Sequence, residues 1–375
     1  MANVLILGGG FAGVVAAESL AKRIGREHRI TLVSRNHHFL FYPALVRLAF
    51  GKCEPDDISY DLRESMLDRR IGFIEAEVAR IDPENRRVVL AHGELQGDLS
   101  YDYLLFALGR RLASEEVIGF FEHAHHLLDL ASALKFGEAA RGFHEGRAII
   151  GQCPGARLPV PVYETAFALA RLLEERGETG KARITLVSPE PASFQFGDKN
   201  VALALRDTLE AHAIELLPEF PIGRVSATVV QTMSGRKLSC NLLMLVPPFR
   251  GPGAAMKLGI TDAGGYINVH TSMRVAGLER IYAAGDCVSF HGPKLGHMAV
   301  HQAEVAAENL AAEIEGHEPK SIYDHELMMV IDEGGADTIF LHKGLWDDNS
   351  FTVKQGRFWG WAKRVHEKYW EYRYS

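Results

Sequence analysis

The sequence predicts an α/β protein with two Rossmann-like three-layer domains and a small C-terminal amphipathic region. Two strand–helix–strand units, near residues 3–33 and 147–188, predict the two domains, and an aromatic, basic segment at residues 356–375 predicts the third region. A chain of 375 residues is long enough for two or three domains. We expect residues 1–112 and 251–320 to form the first domain, residues 113–250 the second, and residues 321–375 the C-terminal region.

The first unit contains a glycine pattern that is typical of dinucleotide-binding sites. The apolar run Val4-Leu5-Ile6-Leu7 predicts a strand, and a helical pattern of apolar residues follows Gly13. The first glycine of the pattern permits a tight turn, the second lets the backbone approach a pyrophosphate, and the third lets the helix pack on the strand. The free N–H groups at the start of the helix then bind the phosphates. The predicted contacts are Gly8, Gly10, Phe11, Ala12 and Gly13.

The end of the second strand favours FAD over NAD as the dinucleotide. An NAD site usually places an acidic residue there to bind the ribose hydroxyls. This chain has Ser34 and Arg35 instead, and the next acidic residue is Glu54. Ser34 can still form a hydrogen bond to a ribose. The aromatic loop that follows contains Pro43, which interrupts a regular helix, and it suits either packing beside a flat ring or ordinary core packing.

Two later strands end in residues that suit the same cofactor. The run 101–108 predicts a buried strand that returns to the first sheet and places Gly109 near the cofactor. The strand predicted at 279–284 ends in Gly285 and Asp286. The aspartate is suited to bind a ribityl or ribose hydroxyl, while the glycine leaves room for the cofactor.

A helix predicted from about Ala299 to Ile314 follows Lys294 and Gly296. Its N-terminal end would point at the flavin ring, where the positive end of the helix dipole favours the anionic reduced form. Both Lys294 and Gly296 are therefore predicted to contact the cofactor.

The second unit has the shape of a nucleotide-binding domain but lacks its phosphate loop. Residues 148–151 and 183–188 predict strands, and residues 162–173 predict the helix between them. The link between the first strand and the helix, residues 151–161, contains three prolines and only two glycines. Such a segment is poorly suited to binding phosphates, so we expect an NAD-like fold without an intact NADH site.

The segment 356–375 is predicted to contain an amphipathic helix. Three of the four tryptophans lie in it, and basic residues lie between the apolar ones. The predicted apolar face comprises Phe358, Trp361, Val365, Tyr369 and Tyr372, at helical spacings of three and four. Aromatic and basic residues together favour a membrane interface, whereas an amphipathic helix can equally pack on its own protein or on a second copy in a homodimer.

Composition excludes several classes of protein. The chain is 47% apolar and 24% charged, as soluble globular proteins are, and its net charge of −7 disfavours nucleic-acid binding. The four cysteines are too few for a disulfide framework and lack zinc-binding spacing, so no metal site is predicted. We find no signal-peptide pattern and no run of eighteen apolar residues. These features predict a cytoplasmic protein, either free or on the cytoplasmic face of a membrane.

Together, these motifs resemble those of the sulfide:quinone oxidoreductase and flavocytochrome c sulfide dehydrogenase family, within the flavoproteins that have two dinucleotide-binding domains. The resemblance extends over nearly the whole chain, and its specificity lies in the order and spacing of short motifs. These motifs are residues 8–13, 32–36, 41–45, Tyr163-Glu164, 247–251, 284–286 and 293–296. The resemblance implies FAD, a quinone acceptor and a membrane-facing C-terminal region. No cysteine lies in the loop after the second strand, where a covalent flavin link would be expected, so the FAD is predicted to be non-covalent.

The chain departs from this family at the redox cysteines. The family uses two cysteines on one face of the flavin, and sulfide attacks the bridge between them. One position corresponds to Leu158 in the spacing of one branch, or to Cys153 in the Cys-x-Gly-Ala motif of another. The second position falls within residues 327–335, which contain no cysteine. At most one member of the pair remains, so the chain lacks the cysteine pair that ordinary persulfide shuttling requires.

The resemblance implies an enzyme that passes two electrons through FAD to a quinone-type acceptor. Glu164 is the candidate proton relay, because a carboxyl buried near the ring would have a raised pKa. Lys294 would stabilise negative charge on the reduced flavin, and Cys153 could accept a sulfur atom as a single persulfide. A solvated position on a helix remains the alternative for Glu164.

Two other functions stay open at this point. Type II NADH dehydrogenases share the fold, although the proline-rich link argues against NADH as the donor. A non-catalytic flavoprotein that senses redox state, or binds a partner through the tail, is the other alternative. Glycine and aspartate fingerprints at both ends of the chain favour redox turnover.

Overall fold

Twenty-one strands and nine helices are present in this computed structural model, which describes residues 1–93, 95–191, 199–324, 326–334, 337–344 and 352–374. Up to residue 112 they are β1 (Asn3–Leu7), α1 (Phe11–Arg23), β2 (Arg29–Ser34), β3 (His38–Leu40), α2 (Leu45–Ala49), β4 (Ser59–Asp61), α3 (Leu62–Asp68), β5 (Gly72–Asp82), β6 (Arg87–Gly93), β7 (Gly97–Ser100), β8 (Tyr103–Phe106) and β9 (Arg111–Leu112). From there to residue 250 they are α4 (Phe120–His123), α5 (Leu130–Arg141), β10 (Gly146–Gln152), α6 (Val160–Glu175), β11 (Ala182–Val187), α7 (Lys199–Ala211), β12 (Ile214–Leu217), β13 (Ile222–Val225), β14 (Val229–Thr232), β15 (Lys237–Ser239), β16 (Leu242–Val246) and β17 (Phe249–Arg250). The rest are β18 (Ile281–Ala283), α8 (Gly296–Ile314), β19 (Glu326–Asp332), β20 (Thr338–Gly344), β21 (Thr352–Gln355) and α9 (Arg357–Tyr374).

The first sheet has seven strands in the order β18-β8-β1-β2-β5-β6-β7. Strand β1 is parallel to both β2 and β8, and β18 extends the parallel set beside β8. Residues 4–7 of β1 are all apolar because both faces of the strand are covered. Val4 and Ile6 belong to the core that includes α1 and α8, whereas Leu5 and Leu7 belong to a separate core on the other face.

The second sheet is wholly parallel, with strand order β12-β11-β10-β16. Helices α6 and α7 contribute to the core on one face, and an apolar cluster that includes Phe120 and Phe220 covers the other face. Strands β5, β6 and β7 of the first sheet pair antiparallel, but its remaining strands are parallel. A parallel set of strands covered on both faces in each sheet confirms the predicted pair of Rossmann-like domains. At the base of the second domain, β9 pairs antiparallel with β17, so that Leu112 lies opposite Phe249.

The C-terminal region consists of the antiparallel sheet β19-β20-β21 and helix α9. One face of α9 is docked on the protein. Trp370 is buried and its ring stacks on Phe39 with the centroids 5.4 Å apart, and Trp359 stacks on Phe340 at 3.8 Å. Within the part of the chain that the structure describes, no helix combines the length and apolar character needed to cross a bilayer.

The other face of α9 is exposed. The exposed fractions are 62% for Phe358, 55% for Trp361, 47% for Val365 and 52% for Tyr369. These four residues belong to the predicted apolar face, and the side chain of the fifth, Tyr372, lies outside the described residues. The helix therefore packs on its own protein and also presents an apolar stripe, which combines the two alternatives left open by the sequence.

Candidate active site

The loop between β1 and α1 requires glycine at the first and third positions of the pattern and leaves open space at the second. Gly8 has φ +117° and donates a backbone hydrogen bond to Val33 at 2.7 Å. A Cβ on Gly8 would lie 2.1 Å from the carbonyl oxygen of Ala107, and one on Gly13 would lie 1.7 Å from the carbonyl oxygen of Gly8. A Cβ on Gly10, in contrast, would meet nothing within 4 Å. The third glycine therefore permits close helix packing, and the second leaves open space at the start of the helix.

Helix α1 begins at Phe11 and has no side-chain cap among the described residues. Ser34 is the last residue of β2 and lies close to this helix start. A Cβ on Gly9 would lie 2.5 Å from Ser34 Oγ. Arg35 is exposed directly after it. An uncapped helix N-terminus beside a serine at the end of the second strand is the geometry expected for a pyrophosphate and its ribose.

Gly285 and Asp286 follow strand β18 and reach the start of α1. Gly285 has φ +82°, donates to Gln302 Oε1 at 2.8 Å, and approaches so closely that a Cβ on it would lie 2.8 Å from Ala12 Cβ. Asp286 forms an ion pair with Arg110, and both side chains are largely buried. The structure thus joins residues predicted from opposite ends of the first domain.

Arg110 is a contact that sequence reasoning missed. It follows Gly109, which has φ +67° and would meet nothing within 4 Å if it carried a Cβ. The Arg110 guanidinium lies 4.3 Å from the centroid of the Phe249 ring, and its Nε is buried without a hydrogen-bond partner among the described residues. An arginine directly after the predicted glycine was the only local signal.

These residues fit FAD. The open space at Gly10, the uncapped start of α1 and the unsatisfied Nε of Arg110 are all suited to phosphate or hydroxyl oxygens. The dinucleotide would be held by the glycine loop, Ser34 and Asp286. When bound, it supplies the site with reversible two-electron chemistry.

Lys294 is buried close to Asp286 and Arg110. Its Nζ donates to the carbonyl oxygen of Val288 at 2.5 Å and lies 4.4 Å from the centroid of the Tyr266 ring. Burial, with a contribution from the nearby Arg157 charge, lowers the pKa of Lys294 to about 7. The lysine is therefore near its titration point at neutral pH.

Gly296 begins α8 beside two aromatic rings. A Cβ on Gly296 would lie 3.4 Å from Tyr42 Oη and 3.6 Å from the Phe11 ring. These rings, Pro43 and Gly296 border an apolar cavity of about 170 Å³. Residues of β19, among them Met328 and Met329, also line the apolar cavity. The aromatic loop after β2 therefore lines a cavity as well as packing in the core.

A buried ion pair lies on the wall of the apolar cavity. Glu164 on α6 accepts a hydrogen bond of 2.5 Å from Lys363 on α9 and a second of 3.0 Å from the backbone N–H of Asp332. Burial raises the pKa of Glu164, although the Lys363 charge opposes this shift. Burial tends to lower the pKa of Lys363, but the nearby carboxylates of Glu164, Glu367 and Asp332 together raise that pKa above its usual value. Lys363 is 199 positions from its partner, so no sequence spacing could connect the two.

A second cavity, of about 430 Å³, adjoins the first and is lined largely by charged side chains. We call it the charged cavity; it shares Val46 and three ionisable residues, Glu164, Lys363 and Glu367, with the apolar cavity. Glu367 pairs with Arg47 through one oxygen, and its other oxygen is buried with no partner among the described residues. Ionisable groups thus form the partition between an apolar and a charged space.

Cys153 lies away from this partition. Its side chain is fully buried in the apolar cluster of the second domain with Phe120 and Phe220, and burial raises its pKa to about 12. Leu158 does line the apolar cavity, as do Met328 and Met329 of the stretch where the second family cysteine would fall. All four cysteines are free thiols. The cavity therefore has apolar side chains at both positions that the resemblance associates with sulfur chemistry.

The link after β10 does not form a phosphate loop. Helix α6 begins at Val160, with Pro159 before it and Pro161 in its first turn. Prolines remove backbone N–H donors from the helix start that would otherwise bind a phosphate. This is the physical reason why the second domain lacks the features of an NADH site.

Comparison with known proteins agrees with this geometry. A family model described as pyridine nucleotide-disulphide oxidoreductase matches residues 2–303. The sulfide-quinone reductase of Aquifex aeolicus is 25% identical over 399 aligned positions, which cover 99% of this chain and 91% of that protein. The type II NADH:quinone oxidoreductase of Haemophilus influenzae is 22% identical, covering 96% of this chain and 90% of that protein.

The fold comparison gives the same result. The X-ray structure of the sulfide:quinone oxidoreductase from Aquifex aeolicus matches with a TM-score of 0.92 at 24% identity, covering 100% of this chain and 92% of that one. The resemblance stated from the sequence motifs is thereby confirmed. Because the family model spans residues 2–303, the chain belongs to the pyridine nucleotide-disulphide oxidoreductase family and is an FAD-dependent oxidoreductase.

Proposed function

We propose that this enzyme passes two electrons through FAD to a quinone bound in the apolar cavity. The observation that carries the proposal is the Glu164–Lys363 pair on the wall of a largely apolar cavity, beside the aromatic residues that precede α2. Quinone reduction needs an apolar surface for the ring and two protons for the carbonyl oxygens. The relatives from Aquifex aeolicus and Haemophilus influenzae are both named for a quinone acceptor.

Each group has a separate role in this proposal. Phe41, Tyr42 and Pro43 contact the quinone ring, and α8 begins beside it at Gly296. Glu164 and Lys363 hold a proton at a quinone carbonyl oxygen and are reprotonated from the charged cavity. Lys294 stabilises negative charge in the reduced site. Cys153 is left out, because its burial leaves no path for sulfide and disfavours a thiolate.

Sulfide is the donor we favour, because the Aquifex aeolicus relative that covers 99% of this chain is named a sulfide-quinone reductase. NADH remains the second candidate, as the Haemophilus influenzae relative is named for it. The prolines at the start of α6 weigh against NADH. The absence of a cysteine pair at the apolar cavity means that a sulfide reaction here would not use the bridge described for the resembling family.

Anaerobic mixing tests the donor and the acceptor separately. The purified protein should be yellow, should release its flavin on acid denaturation if the FAD is non-covalent, and should lose visible absorbance on mixing with sulfide. Addition of a short-chain quinone should restore the absorbance. If NADH bleaches the flavin and sulfide does not, NADH is the donor and the proposed acceptor stands. If none of the quinones restores the flavin absorbance, the proposal is contradicted.

We also infer that the exposed stripe of α9 docks on an anionic membrane surface, on the cytoplasmic face. Phe358, Trp361, Val365 and Tyr369 form the stripe, and basic side chains such as Lys368 flank it. This composition is typical of helices that lie in the interface plane. A quinone would then enter the apolar cavity from the membrane that contains it.

Flotation with lipid vesicles tests this docking. The protein should float with vesicles that contain an anionic lipid and less with neutral ones, and Trp361→Ser should weaken flotation. If the protein does not float but forms a concentration-dependent dimer, and Trp361→Ser makes it monomeric, the stripe is instead a homodimer interface.

A further inference from the structure

Two histidines and an aspartate meet on a short ribbon next to the predicted ribose site. Strands β3 and β4 pair antiparallel, and His38 lies directly opposite Asp61. The N–H of Leu62 donates to the carbonyl oxygen of His37 at 2.7 Å. Backbone pairing therefore holds His37, His38 and Asp61 together, whatever the nucleotide site contains.

The ligand atoms of these three residues are close enough for one cation. One nitrogen of each histidine and one oxygen of Asp61 all lie within 4.8 Å of one another. The two imidazole rings are 4.0 Å apart between centroids. Metal–nitrogen and metal–oxygen bonds of about 2.0–2.2 Å require ligand atoms somewhat closer than this, a change that side-chain rotation can provide. His38 and Asp61 are exposed, so an ion can reach them from solvent.

Glu75 gives this cluster a feature of built metal sites. Its Oε2 lies 3.0 Å from Nδ1 of His37, and the same oxygen accepts a hydrogen bond from Arg63. A carboxylate that binds one imidazole nitrogen fixes the ring and leaves Nε2 as the ligand, an arrangement common behind metal-bound histidines. Glu75 is itself fixed, because it lies opposite Ser34 in the register of β2 and β5.

Asp61 is likewise held in place. It is the N-cap of α3, and its Oδ1 accepts a hydrogen bond of 2.7 Å from the N–H of Arg63. The Arg63 guanidinium forms an ion pair with Glu75, and Asp61 places a carboxylate beside the two imidazoles. A site with this charge favours a cation.

We propose that His37, His38 and Asp61 bind one divalent transition-metal ion of the zinc class, with water in the open position. Two imidazoles and one carboxylate suit Zn²⁺ or its neighbours in the series, whereas Mg²⁺ and Ca²⁺ take oxygen ligands. The ion would cross-link β3 to β4 directly after the residues expected to hold the ribose. This site is independent of the electron donor and acceptor proposed above.

The test uses full-length protein without a histidine tag, with its FAD, after treatment with a chelator. Zn²⁺ is titrated in competition with a chromophoric indicator, and Co²⁺ is added separately to look for visible absorption bands. We expect one equivalent of either ion per chain. His38→Ala should weaken binding by at least about 10-fold, and Glu75→Gln by about 10- to 100-fold, as loss of an orienting partner does.

Two further variants complete the test. Asp61→Asn keeps a good helix cap but removes the charge, so it should lose Zn²⁺ while melting like the parent protein without metal. His317→Ala is the matched control, because this histidine is exposed and pairs with a neighbouring carboxylate, Glu315, at 3.7 Å. Equal weakening by His317→Ala and His38→Ala, or a stoichiometry unchanged in Asp61→Asn, would overturn the proposal.

Discussion

Lys363 on α9 donates a hydrogen bond of 2.5 Å to Glu164 on α6, and both side chains are nearly buried. The C-terminal helix therefore provides one half of the ion pair on the wall of the apolar cavity. The same helix contributes Glu367 to the partition with the charged cavity. Anything that displaces α9 should alter the site as well as the surface of the protein.

Glu164→Gln should slow quinone reduction by about 100-fold or more, the usual contribution of a positioned general acid. Burial raises the pKa of Glu164, so the protonated acid persists to higher pH than an exposed carboxyl would, and the wild-type rate should fall as pH rises through that pKa. The variant should lose this limb of the pH profile. Stopped-flow reoxidation of reduced enzyme by quinone measures it.

The control for this variant is Glu174→Gln, at an exposed carboxylate on the same helix. It should keep both the rate and the pH profile. A Glu164→Gln enzyme with an unchanged profile would show that quinone takes its protons elsewhere.

Lys363→Met should destabilise the fold by about 3 kcal/mol at pH 8, because it leaves a buried carboxylate without its cation. The loss should be smaller at pH 5. Burial holds the pKa of Glu164 above its unfolded value, so its stabilising contribution is present at low pH and is lost as pH rises through the folded pKa. Urea unfolding at both pH values measures the difference.

Lys368→Met, at an exposed position of the same helix, should change stability little at either pH. The double variant Glu164→Gln with Lys363→Met should recover much of the loss, since it removes the unpaired charge. Equal destabilisation at pH 5 and pH 8 would contradict the role assigned to Glu164.

Gly10→Ala should fold normally but bind FAD poorly. A Cβ at this position meets no protein atom within 4 Å, yet it occupies the space where the pyrophosphate is expected. Gly13→Ala should instead lower the melting temperature, because its Cβ would lie 1.7 Å from a carbonyl oxygen. Flavin absorbance per protein and circular dichroism separate the two effects, with Gly180→Ala as a control in open space.

Lys294→Met should lower the midpoint potential of the flavin, and by more at pH 6 than at pH 8. The pKa of Lys294 is lowered to about 7, so its positive charge is largely present below that pH and largely absent above it. A loss of about 30 mV at pH 6 corresponds to about 1.4 kcal/mol for a two-electron couple. Spectroelectrochemistry measures the potential, and equal shifts at both pH values would exclude a charge effect.

The nucleotide loop could be predicted from sequence because its determinants are local. Gly8, Gly10 and Gly13 lie on one short segment, and the strand before them and the helix after them follow simple periodicities. The mixed role of α9 could be anticipated only in part. Its apolar face was evident from spacing, but the docking of the opposite face depends on Trp370 contacting Phe39, which is distant along the chain.

The ion pairs of the site could not be predicted, since each joins segments that only the tertiary fold brings together. Lys363 is one of the basic residues of the segment 356–375, and nothing in that segment indicates its partner. Arg47 and Glu367 lie in none of the motifs identified from the sequence. Cys153 matched a short motif, yet its side chain points into the core of the second domain. A motif of four residues does not determine which face of a sheet its side chain takes.

The antiparallel pair β9–β17 has a consequence for how this molecule could be re-engineered. The chain leaves the first sheet and comes back to it through two strands in direct contact, with Arg111 opposite Arg250. A domain whose two ends pair with each other can be exchanged for another domain, or replaced by a short loop, without distorting the domain into which it is inserted. Swapping in a domain with an intact phosphate loop would then change the electron donor, and the new domain would have to carry Glu164 and its neighbours on α6 to preserve the wall of the apolar cavity.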